Sequence, residues 1–494
     1  GGDEFMNTPI RRISLVVMAM FLTLMIAMTW IQFVQAGSLN ADTRNVRNTY
    51  REYGRDRGPI VVAGESVAFS TAVDTPYGFQ RTYANGPLYA PLTGFSSVVF
   101  GTTGIEKYGN SVLNGTSDSL WRQRLADLVT GRQPQGGAVE LTIDPKVQQA
   151  AYAALEGKEG AVVALDPRTG AVLAMVSTPS FDPNLLAGHD TAAVNAAWQA
   201  LLADPADPMA NRAIAGDTYA PGSTFKLIDL AAILSTGQFT PETRVAAPNE
   251  FTLPGTSTQI RNPGGATCDD GETATLLRAL EQSCNTPFVS LAYDLGDEAI
   301  RNQAQAFGFQ TPLSIPMTVT QSKFPAIEDP AELGGAAIGQ QSVRVTPMQM
   351  AMVAAGIAND GVVMKPYVVA TERAADLSVV SETQPEAFST AMTPEVAETI
   401  TQMMVSVVDN GTGSRAAISG ISVAGKTGTA ESGINDGTSA SNPHAWFTAF
   451  APADDPQIAL AVLVVNGADT SSGDYTGARL AAPIARQVIE AALQ

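Results

Sequence analysis

The chain has 494 residues, of which 45% are hydrophobic and 16% charged, and its formal net charge is −19. This length allows a large core and more than one domain, and so acidic a chain is unsuited to binding nucleic acid. Histidine and cysteine are limited to His189, His444, Cys268 and Cys284. A zinc site needs three or four ligands, so we expect no metal and no cofactor, and we interpret both histidines as structural.

The first five residues, Gly1–Phe5, spell a signature that cyclic-dinucleotide synthases carry on a hairpin deep within a domain. Here the signature stands at the very start of the sequence, so this match is rejected. We interpret residues 1–5 as a remnant in front of the natural start, Met6.

A run without charged residues, Ile13–Ala36, is long enough to cross a bilayer as one helix. Arg11 and Arg12 precede it, which predicts that residues 6–12 form a cytoplasmic tail and that the rest of the chain lies outside. A cleaved signal peptide is the alternative, but its apolar core would be shorter and would end in a small-x-small site. We therefore expect a single-pass transmembrane anchor over residues 13–36.

Residues 37–155 are polar and punctuated by Gly, Asn and Pro, with strands predicted over Pro59–Val62, Leu88–Leu92 and Val98–Gly101. No catalytic cluster stands out in this region. We interpret it as a spacer or docking module.

Longer regular elements follow. Val139–Ile143 is predicted to be a strand, and Pro145–Leu155 a helix with Asp144 as its N-cap. Ala161–Leu165 and Ala171–Val176 are apolar runs joined by a Gly-containing turn, which predicts a hairpin.

Helical and strand patterns continue to the end of the chain. The predicted helices are Ser223–Ser235, Leu276–Gln282, Thr346–Ala358, Pro394–Val408 and Gly477–Leu493, and the predicted strands are Ile421–Thr429, Ala445–Ala451 and Ile458–Val465. Strands at both ends with helices between them predict an α+β domain over residues 156–494 whose terminal segments share one sheet. The polar stretch Glu431–Pro443 is predicted to be a loop.

The motif Ser223-Thr-Phe-Lys226 places a hydroxyl and an amine three residues apart. Pro221 and Gly222 break the chain before it, so Ser223 is predicted to start a helix with Lys226 one turn above it. A serine hydroxyl becomes a good nucleophile when a base takes its proton. Lysine can be that base if burial or a nearby cation lowers its pKa. Alone the motif is weak, because a Ser N-cap followed by a solvated Lys has the same spacing.

A second motif, Ser283-Cys-Asn285, follows a predicted helix. Two polar side chains that flank one residue can point the same way in a turn. Ser283 could relay a proton between Lys226 and a leaving group, and Asn285 could bind a substrate amide. An ordinary helix-ending turn is the alternative.

A third motif, Lys426-Thr-Gly-Thr429, ends a predicted strand. Alternation puts Lys426 and Gly428 on one face and Thr427 and Thr429 on the other. Lys426 could hold a carboxylate and also depress the pKa of the lysine in the first motif. The amide of Thr429, with that of the first motif's serine, could form an oxyanion hole. A Lys- and Thr-bearing surface strand is the alternative.

Together and in this order, the three motifs are the set that serine β-lactamases and penicillin-binding proteins carry. The chain resembles the class B penicillin-binding proteins, in particular the penicillin-binding protein A group of mycobacteria and corynebacteria, from the anchor to the last helix. Further resemblances are Arg57-Gly-Pro-Ile60, Leu141-Thr-Ile-Asp144, Asn211-Arg-Ala213, Ile338-Gly-Gln340, Thr346-Pro347 and Trp446-Phe447.

The resemblance implies an elongated β-rich pedestal over residues 37–155, followed by a serine β-lactamase-like transpeptidase domain in which a helical subdomain joins an antiparallel sheet. It implies a D,D-transpeptidase that crosslinks peptidoglycan stem peptides ending in D-Ala-D-Ala through an acyl-enzyme on Ser223, and that β-lactams inhibit covalently. Lys426 and Thr427 would hold the terminal carboxylate. Expected partners are the plasma membrane, a glycosyltransferase and proteins of the division or elongation machinery, with the catalytic domain extracytoplasmic.

Three alternative functions stay open. A D,D-carboxypeptidase or endopeptidase would use water as the acceptor, and no motif separates it from a transpeptidase. A serine β-lactamase needs a deacylating base, and no Glu is placed as in class A enzymes. A membrane-anchored scaffold for division or elongation proteins would not need intact motifs.

Cys284, the middle residue of the second motif, differs from the small residue that many relatives carry there. An extracytoplasmic thiol pair is prone to oxidation, so we predict a Cys268–Cys284 disulfide. The alternative is a buried Cys284 with an exposed Cys268.

Overall fold

The structure is a computed structural model that describes residues 3–34, 53–117, 135–216, 218–430, 443–466 and 476–494. It contains two compact units, Gly1–Asp56 with Ala72–Gln80, and Arg57–Thr71 with Arg81–Gln494. The predicted loop Glu431–Pro443 lies outside the described residues except for its last one.

A long N-terminal helix belongs to the first unit. Helix α1 spans Asp3–Thr29 and runs into a π-helical turn, Trp30–Val34. The segment Arg11–Gln32 is long and apolar enough to cross a membrane, and its side chains are exposed throughout. A helix that is apolar all round needs a non-aqueous surrounding. The predicted span Ile13–Ala36 is helical to Val34, and its last two residues lie outside the described ranges.

Short elements follow in the described part of residues 53–141. They are β1 (Ile60–Val62), β2 (Glu65–Ala72), β3 (Phe79–Tyr83), α2 (Gly86–Thr93), β4 (Ser96–Ser97), β5 (Gly101–Thr102), α3 (Gly104–Tyr108), α4 (Asn110–Leu113) and β6 (Ala138–Leu141).

The later chain supplies longer helices and most of the strands. Its helices are α5 (Pro145–Ala154), α6 (Asn184–Ala187), α7 (Thr191–Ala203), α8 (Lys226–Ser235), α9 (Leu276–Glu281), α10 (Thr286–Leu295), α11 (Asp297–Ala306), α12 (Pro330–Ala336), α13 (Pro347–Ala358), α14 (Pro394–Asn410) and α15 (Gly477–Ala492). Its strands are β7 (Gly160–Leu165), β8 (Val172–Thr178), β9 (Arg244–Ala246), β10 (Glu250–Thr252), β11 (Gln259–Arg261), β12 (Thr273–Thr275), β13 (Leu313–Ser314), β14 (Thr318–Val319), β15 (Val362–Met364), β16 (Val369–Arg373), β17 (Val379–Glu382), β18 (Ala387–Thr390), β19 (Ala424–Ala430), β20 (His444–Ala451) and β21 (Ile458–Val464).

Two predicted strands in the N-terminal region are wrong. Leu88–Leu92 lies in helix α2, because Pro87 sits in the first turn and the helix buries Leu88, Tyr89 and Leu92. Short apolar runs fit a buried strand and a buried helix equally well. The run Val98–Gly101 is mostly the turn that joins β4 to β5.

The N-terminal region forms a six-stranded sheet in the order β17-β16-β6-β1-β2-β3. Strand β1 pairs in parallel with β6 and antiparallel with β2, while β16 pairs antiparallel with β6. Two of the six strands, β16 and β17, therefore come from far along the chain. No pattern in the sequence predicts that β16 and β17 join the sheet of the N-terminal region.

The second sheet is formed by strands of the later part of the chain. Their order is β19-β20-β21-β7-β8, and all neighbours are antiparallel. Strands from both ends of the predicted domain share it, as expected. The hairpin β7–β8 and helix α5 also follow the prediction, and the side chain of Asp144 accepts hydrogen bonds from the amides of Lys146 and Val147. The predicted α+β class, with helices added to an antiparallel sheet, is confirmed.

Helices cover both faces of this sheet. Val162 and Leu460 point to the side on which α5 and α15 pack, while Val163 and Leu463 point to the side of α13. Because both faces are covered, β20 and β21 are buried along their whole length. Strand β19 stays at the sheet edge, where one side of its backbone is open to other partners.

Candidate active site

Ser223 lies in a tight turn in front of α8. The 3₁₀ turn Gly222–Phe225 comes first, and α8 begins at Lys226. Ser223 is thus in a 3₁₀ turn, rather than in the α-helix that the pattern predicts, but Lys226 still follows one turn later. Lys226 has no exposed surface and Ser223 is 9% exposed.

Three contacts fix the turn that carries Ser223. Gly222 has φ +54°, and a Cβ there would lie 2.4 Å from the carbonyl oxygen of Thr429. Its amide donates to the carbonyl of Gly339 at 2.9 Å, and the Trp446 indole donates to the carbonyl of Ala220 at 2.9 Å. The turn therefore lies directly against β19, in a conformation that favours glycine.

Lys226 is held by the second motif. Its Nζ donates to the carbonyl of Ser283 and to Oδ1 of Asn285, both at 2.8 Å. Burial and the Lys426 ammonium lower the pKa of Lys226 well below its ordinary value, whereas Asp229 raises it. A neutral amine is the form that can accept a proton from a hydroxyl.

Lys426 lies on the other side of Ser283. Its Nζ donates to the Ser283 hydroxyl at 2.7 Å and to the carbonyl of Thr427 at 2.9 Å. Burial lowers the pKa of Lys426 to about 7. An ammonium has three donors, so one donor remains beyond these two bonds. Ser283 thus contacts both lysines, through its carbonyl to Lys226 and through its hydroxyl to Lys426.

The second motif lies between two helices, α9 and α10, and not simply at the end of one. Ser283 has φ +55°, which turns the chain sharply. Oδ1 of Asn262 accepts the amides of Asn285 and Thr286 at 2.9 and 3.1 Å, and Nδ2 of Asn285 donates to the carbonyl of Arg261 at 2.7 Å. These bonds hold the motif against the segment after β11.

Cys268 and Cys284 form a disulfide in the structure, and both are buried. The bond joins the middle residue of the second motif to the loop that follows Asn262. It is a second, covalent link between the motif and the same segment of chain.

The third motif lies on edge strand β19. Lys426 points inward, and a Cβ on Gly428 would lie 2.9 Å from the carbonyl of Pro221, so both face the serine turn as alternation predicts. The Thr427 hydroxyl lies 2.8 Å from that of Thr412. Oγ1 of Thr429 accepts the amide of Gly477 at 3.3 Å.

Three residues of the site escaped sequence reasoning. Asn262 positions the second motif, Thr412 shares a hydrogen bond with Thr427, and Asp229 is buried one turn beyond Lys226. Asp229 had a usable signal, since it is a single charge within the apolar run Leu227–Leu234. Nothing in the local sequence distinguishes Asn262 or Thr412 from ordinary turn residues.

Comparisons with known proteins match the chain to two families. The penicillin binding protein transpeptidase domain covers residues 160–490, and the penicillin binding protein A dimerisation domain covers residues 57–139. The chain is 46% identical over 495 residues to peptidoglycan D,D-transpeptidase PbpA of Mycolicibacterium smegmatis, covering 99% of each chain. The same identity and coverage hold for PbpA of Mycobacterium tuberculosis.

Solved structures give the same picture. The crystal structure of PBPA from M. tuberculosis matches with a TM-score of 0.85 at 45% identity, over 90% of this chain and all of that one. A ceftriaxone acyl-enzyme complex of penicillin-binding protein A from the same organism matches with a TM-score of 0.86 at 44% identity, with the same coverage.

Proposed function

The chain belongs to the class B penicillin-binding proteins and is a serine-type peptidoglycan D,D-transpeptidase, and we propose that Ser223 is the residue that carries its acyl group. One observation supports this assignment above the others. Ser283 is hydrogen-bonded to both Lys226 and Lys426 beside the serine turn, so the three motifs form one cluster with a base, a cation and a nucleophile.

Acylation begins with Ser223. Its Oγ attacks the carbonyl carbon between the two terminal D-alanines, and neutral Lys226 takes the hydroxyl proton. The amides of Ser223 and Thr429 stabilise the oxyanion; the close approach of Gly222 to the Thr429 carbonyl supports that pairing. The carbon–nitrogen bond then breaks, and the proton passes to the departing D-alanine.

Different residues act on the leaving group and bind the substrate. Ser283, bonded through its hydroxyl to Lys426, is the group through which the proton reaches the leaving amine. Lys426 and Thr427 hold the terminal carboxylate, and Asn285 binds the substrate's amide while it orients Lys226. An amine from a neighbouring stem peptide then attacks the acyl-enzyme and closes the crosslink. β-Lactams acylate the same serine. The resulting acyl-enzyme breaks down slowly, because the fragment released by ring opening stays attached to the acyl group.

The proposed organisation follows the same family. Residues 6–12 are a cytoplasmic tail, 13–36 the anchor, 37–155 the pedestal and 156–494 the transpeptidase domain, which lies outside the plasma membrane. The long apolar helix α1 supports the anchor. The pedestal, which brings no motif residue to the site, is the surface for a glycosyltransferase and for division or elongation proteins.

Product analysis tests the reaction. The protein is incubated with a stem peptide ending in D-Ala-D-Ala and an amine acceptor, and we expect release of D-alanine together with a crosslinked dimer. Ser223→Ala should give neither product, while Ser235→Ala, an exposed serine at the end of α8, should give both. D-Alanine release without a dimer would contradict the transpeptidase assignment in favour of a carboxypeptidase.

A further inference from the structure

Asp229 is a buried acid that the mechanism above does not use. It lies in the first turn of α8 and is 1% exposed. Neither oxygen of its carboxyl group has a hydrogen-bond partner among the described residues. A buried carboxylate is costly unless a nearby charge compensates it, so the surrounding charges decide what this residue does.

Lys226 is that nearby charge. It lies three residues before Asp229 in the same helix, and residues at this spacing lie on one face with their Cβ atoms about 5–6 Å apart. Nζ of Lys226 is hydrogen-bonded to Ser283 and Asn285. Asp229 therefore acts on the lysine through its charge across one helical turn, without a direct bond.

The three described helices that pack most closely against α8 supply no competing buried charge. Helices α10, α11 and α14 pack on it, and their charged residues are exposed or only partly buried: Asp294, Asp297, Glu298, Arg301, Glu395, Glu398 and Asp409. From β19, Lys426 adds a second cation beside Lys226. Among the described residues, the charges that act on the base are those of Lys426 and Asp229; Glu281, which is also buried, is paired with Arg278.

We propose that Asp229 is a positioning residue whose carboxylate stabilises the Lys226 ammonium that forms when the lysine takes the Ser223 proton, and so sets how strong a base Lys226 is. The inference rests on the assignment of Lys226 as the base. In the step concerned, the Oγ–H bond of Ser223 breaks, an Nζ–H bond forms and Oγ bonds to the acyl carbon. The proton later goes to the leaving amine, and Asp229 exchanges no atom.

The interaction between the two side chains agrees with this role, while burial of Asp229 opposes it. Burial and Lys426 lower the pKa of Lys226, and Asp229 opposes both. Burial raises the pKa of Asp229 well above its ordinary value, and Lys226 lowers it. A base must be weak enough to be neutral and strong enough to accept a proton. Without Asp229, Lys226 would be neutral over a wider pH range but would accept the Ser223 proton less readily.

Asp229→Asn keeps the shape and removes the charge. The rate of acylation by a fluorescent penicillin is measured against pH with the full-length protein in detergent. Because Lys226 loses a stabilising anion, we expect the acid limb of the profile to move to a pH lower by about 1 to 3. We expect the plateau rate to fall by about tenfold. Asp229→Glu should keep the acid limb near its wild-type position.

Two controls separate this role from a structural one. Ile233→Ala removes buried atoms from the same helix and should lower the melting temperature without moving the acid limb. Asp229→Ser, small and neutral, should show the same displaced limb as Asp229→Asn if the amide variant does not fold. A limb that stays in place in the neutral variants would overturn the proposal. Labelling that survives in Ser223→Ala would instead overturn the assignment of the nucleophile.

Discussion

Lys226 and Lys426 are both fully buried and both hydrogen-bond to Ser283. Burial disfavours an ammonium, and two ammoniums close together disfavour each other. The arrangement therefore favours one neutral and one charged lysine, which is the combination that acyl transfer from a carboxylate-bearing peptide needs. The charges around Lys226 act in opposite directions, since Lys426 lowers its pKa and Asp229 raises it.

A bell-shaped pH profile follows for acylation by penicillin. At low pH Lys226 is protonated and cannot act as the base, so the rate rises as pH passes its lowered pKa. Lys426 must be an ammonium to hold a carboxylate, and its pKa is about 7, so the rate falls again above that pH. Stopped-flow acylation rates across this range measure both limbs.

The control for the alkaline limb is Lys426→Arg. A guanidinium stays charged throughout, so the rate that remains in this variant should not fall in the alkaline range. A wild-type rate that keeps rising well above pH 7 would contradict the assignment of Lys426.

The three motifs could be predicted from the sequence because each has a fixed spacing, and their order is specific. The sequence could not tell that the carbonyl of Ser283 faces one lysine and its hydroxyl the other. Nor could it place Asn262 or Thr412 beside the motifs. These contacts join residues tens or hundreds of positions apart, so they depend on tertiary packing that no local pattern encodes.

The serine turn and strand β19 approach each other closely at Gly222. Because a Cβ there would overlap the Thr429 carbonyl at 2.4 Å, Gly222→Ala should push the turn away from β19 and separate the two amides that we propose stabilise the oxyanion. Misplacing reacting groups by about 1 Å costs roughly 100-fold in rate. We expect penicillin acylation to fall by about that factor.

Gly237→Ala is a matched control for this substitution. Gly237 also has positive φ, at +72°, but no atom lies within 4 Å of its added Cβ. The Gly237→Ala variant should lose about 1 kcal/mol of unfolding free energy and keep the wild-type acylation rate. Equal rates in both variants would show that close contact with β19 does not position the nucleophile.

The Cys268–Cys284 bond closes a loop with a sequence separation of 16. Loop closure of this length lowers the entropy of the unfolded chain and is worth about 3 kcal/mol. Replacing both cysteines by serine should therefore lower the unfolding free energy by about that amount and slow acylation, because Cys284 lies between Ser283 and Asn285. Denaturant titration and non-reducing mass mapping measure the two effects; free thiols in the native protein would contradict the pairing.

Elements with strong periodicity were predictable, including α5, α13, α14, α15 and the central strands. Elements whose conformation depends on tertiary contacts could not be predicted from the sequence. Helix α2 looked like a strand because its apolar run is short. Strands β16 and β17 became visible only in the sheet, where β16 pairs with β6 and β17 pairs with β16. Helices α10 and α11 were missed, although Gly296 separates them and Asp297 begins the second.

The proposed anchor would determine on which side of the membrane the chemistry takes place. Arg11 and Arg12 before the apolar span predict an inside N-terminus. Since both native cysteines are disulfide-bonded, single added cysteines can report the topology. In intact cells, a membrane-impermeant maleimide should label Glu382→Cys, an exposed site on β17, and should not label Asn7→Cys until the cells are opened. The reverse pattern would contradict the proposed orientation.

Ser223 is the residue that we propose carries the acyl group. The most direct measurement is the intact mass of the full-length protein after reaction with penicillin, followed by peptide mapping. We expect one adduct per chain, located on the peptide that contains Ser223, and no adduct in Ser223→Ala. An adduct on another residue, or a labelled Ser223→Ala protein, would contradict it.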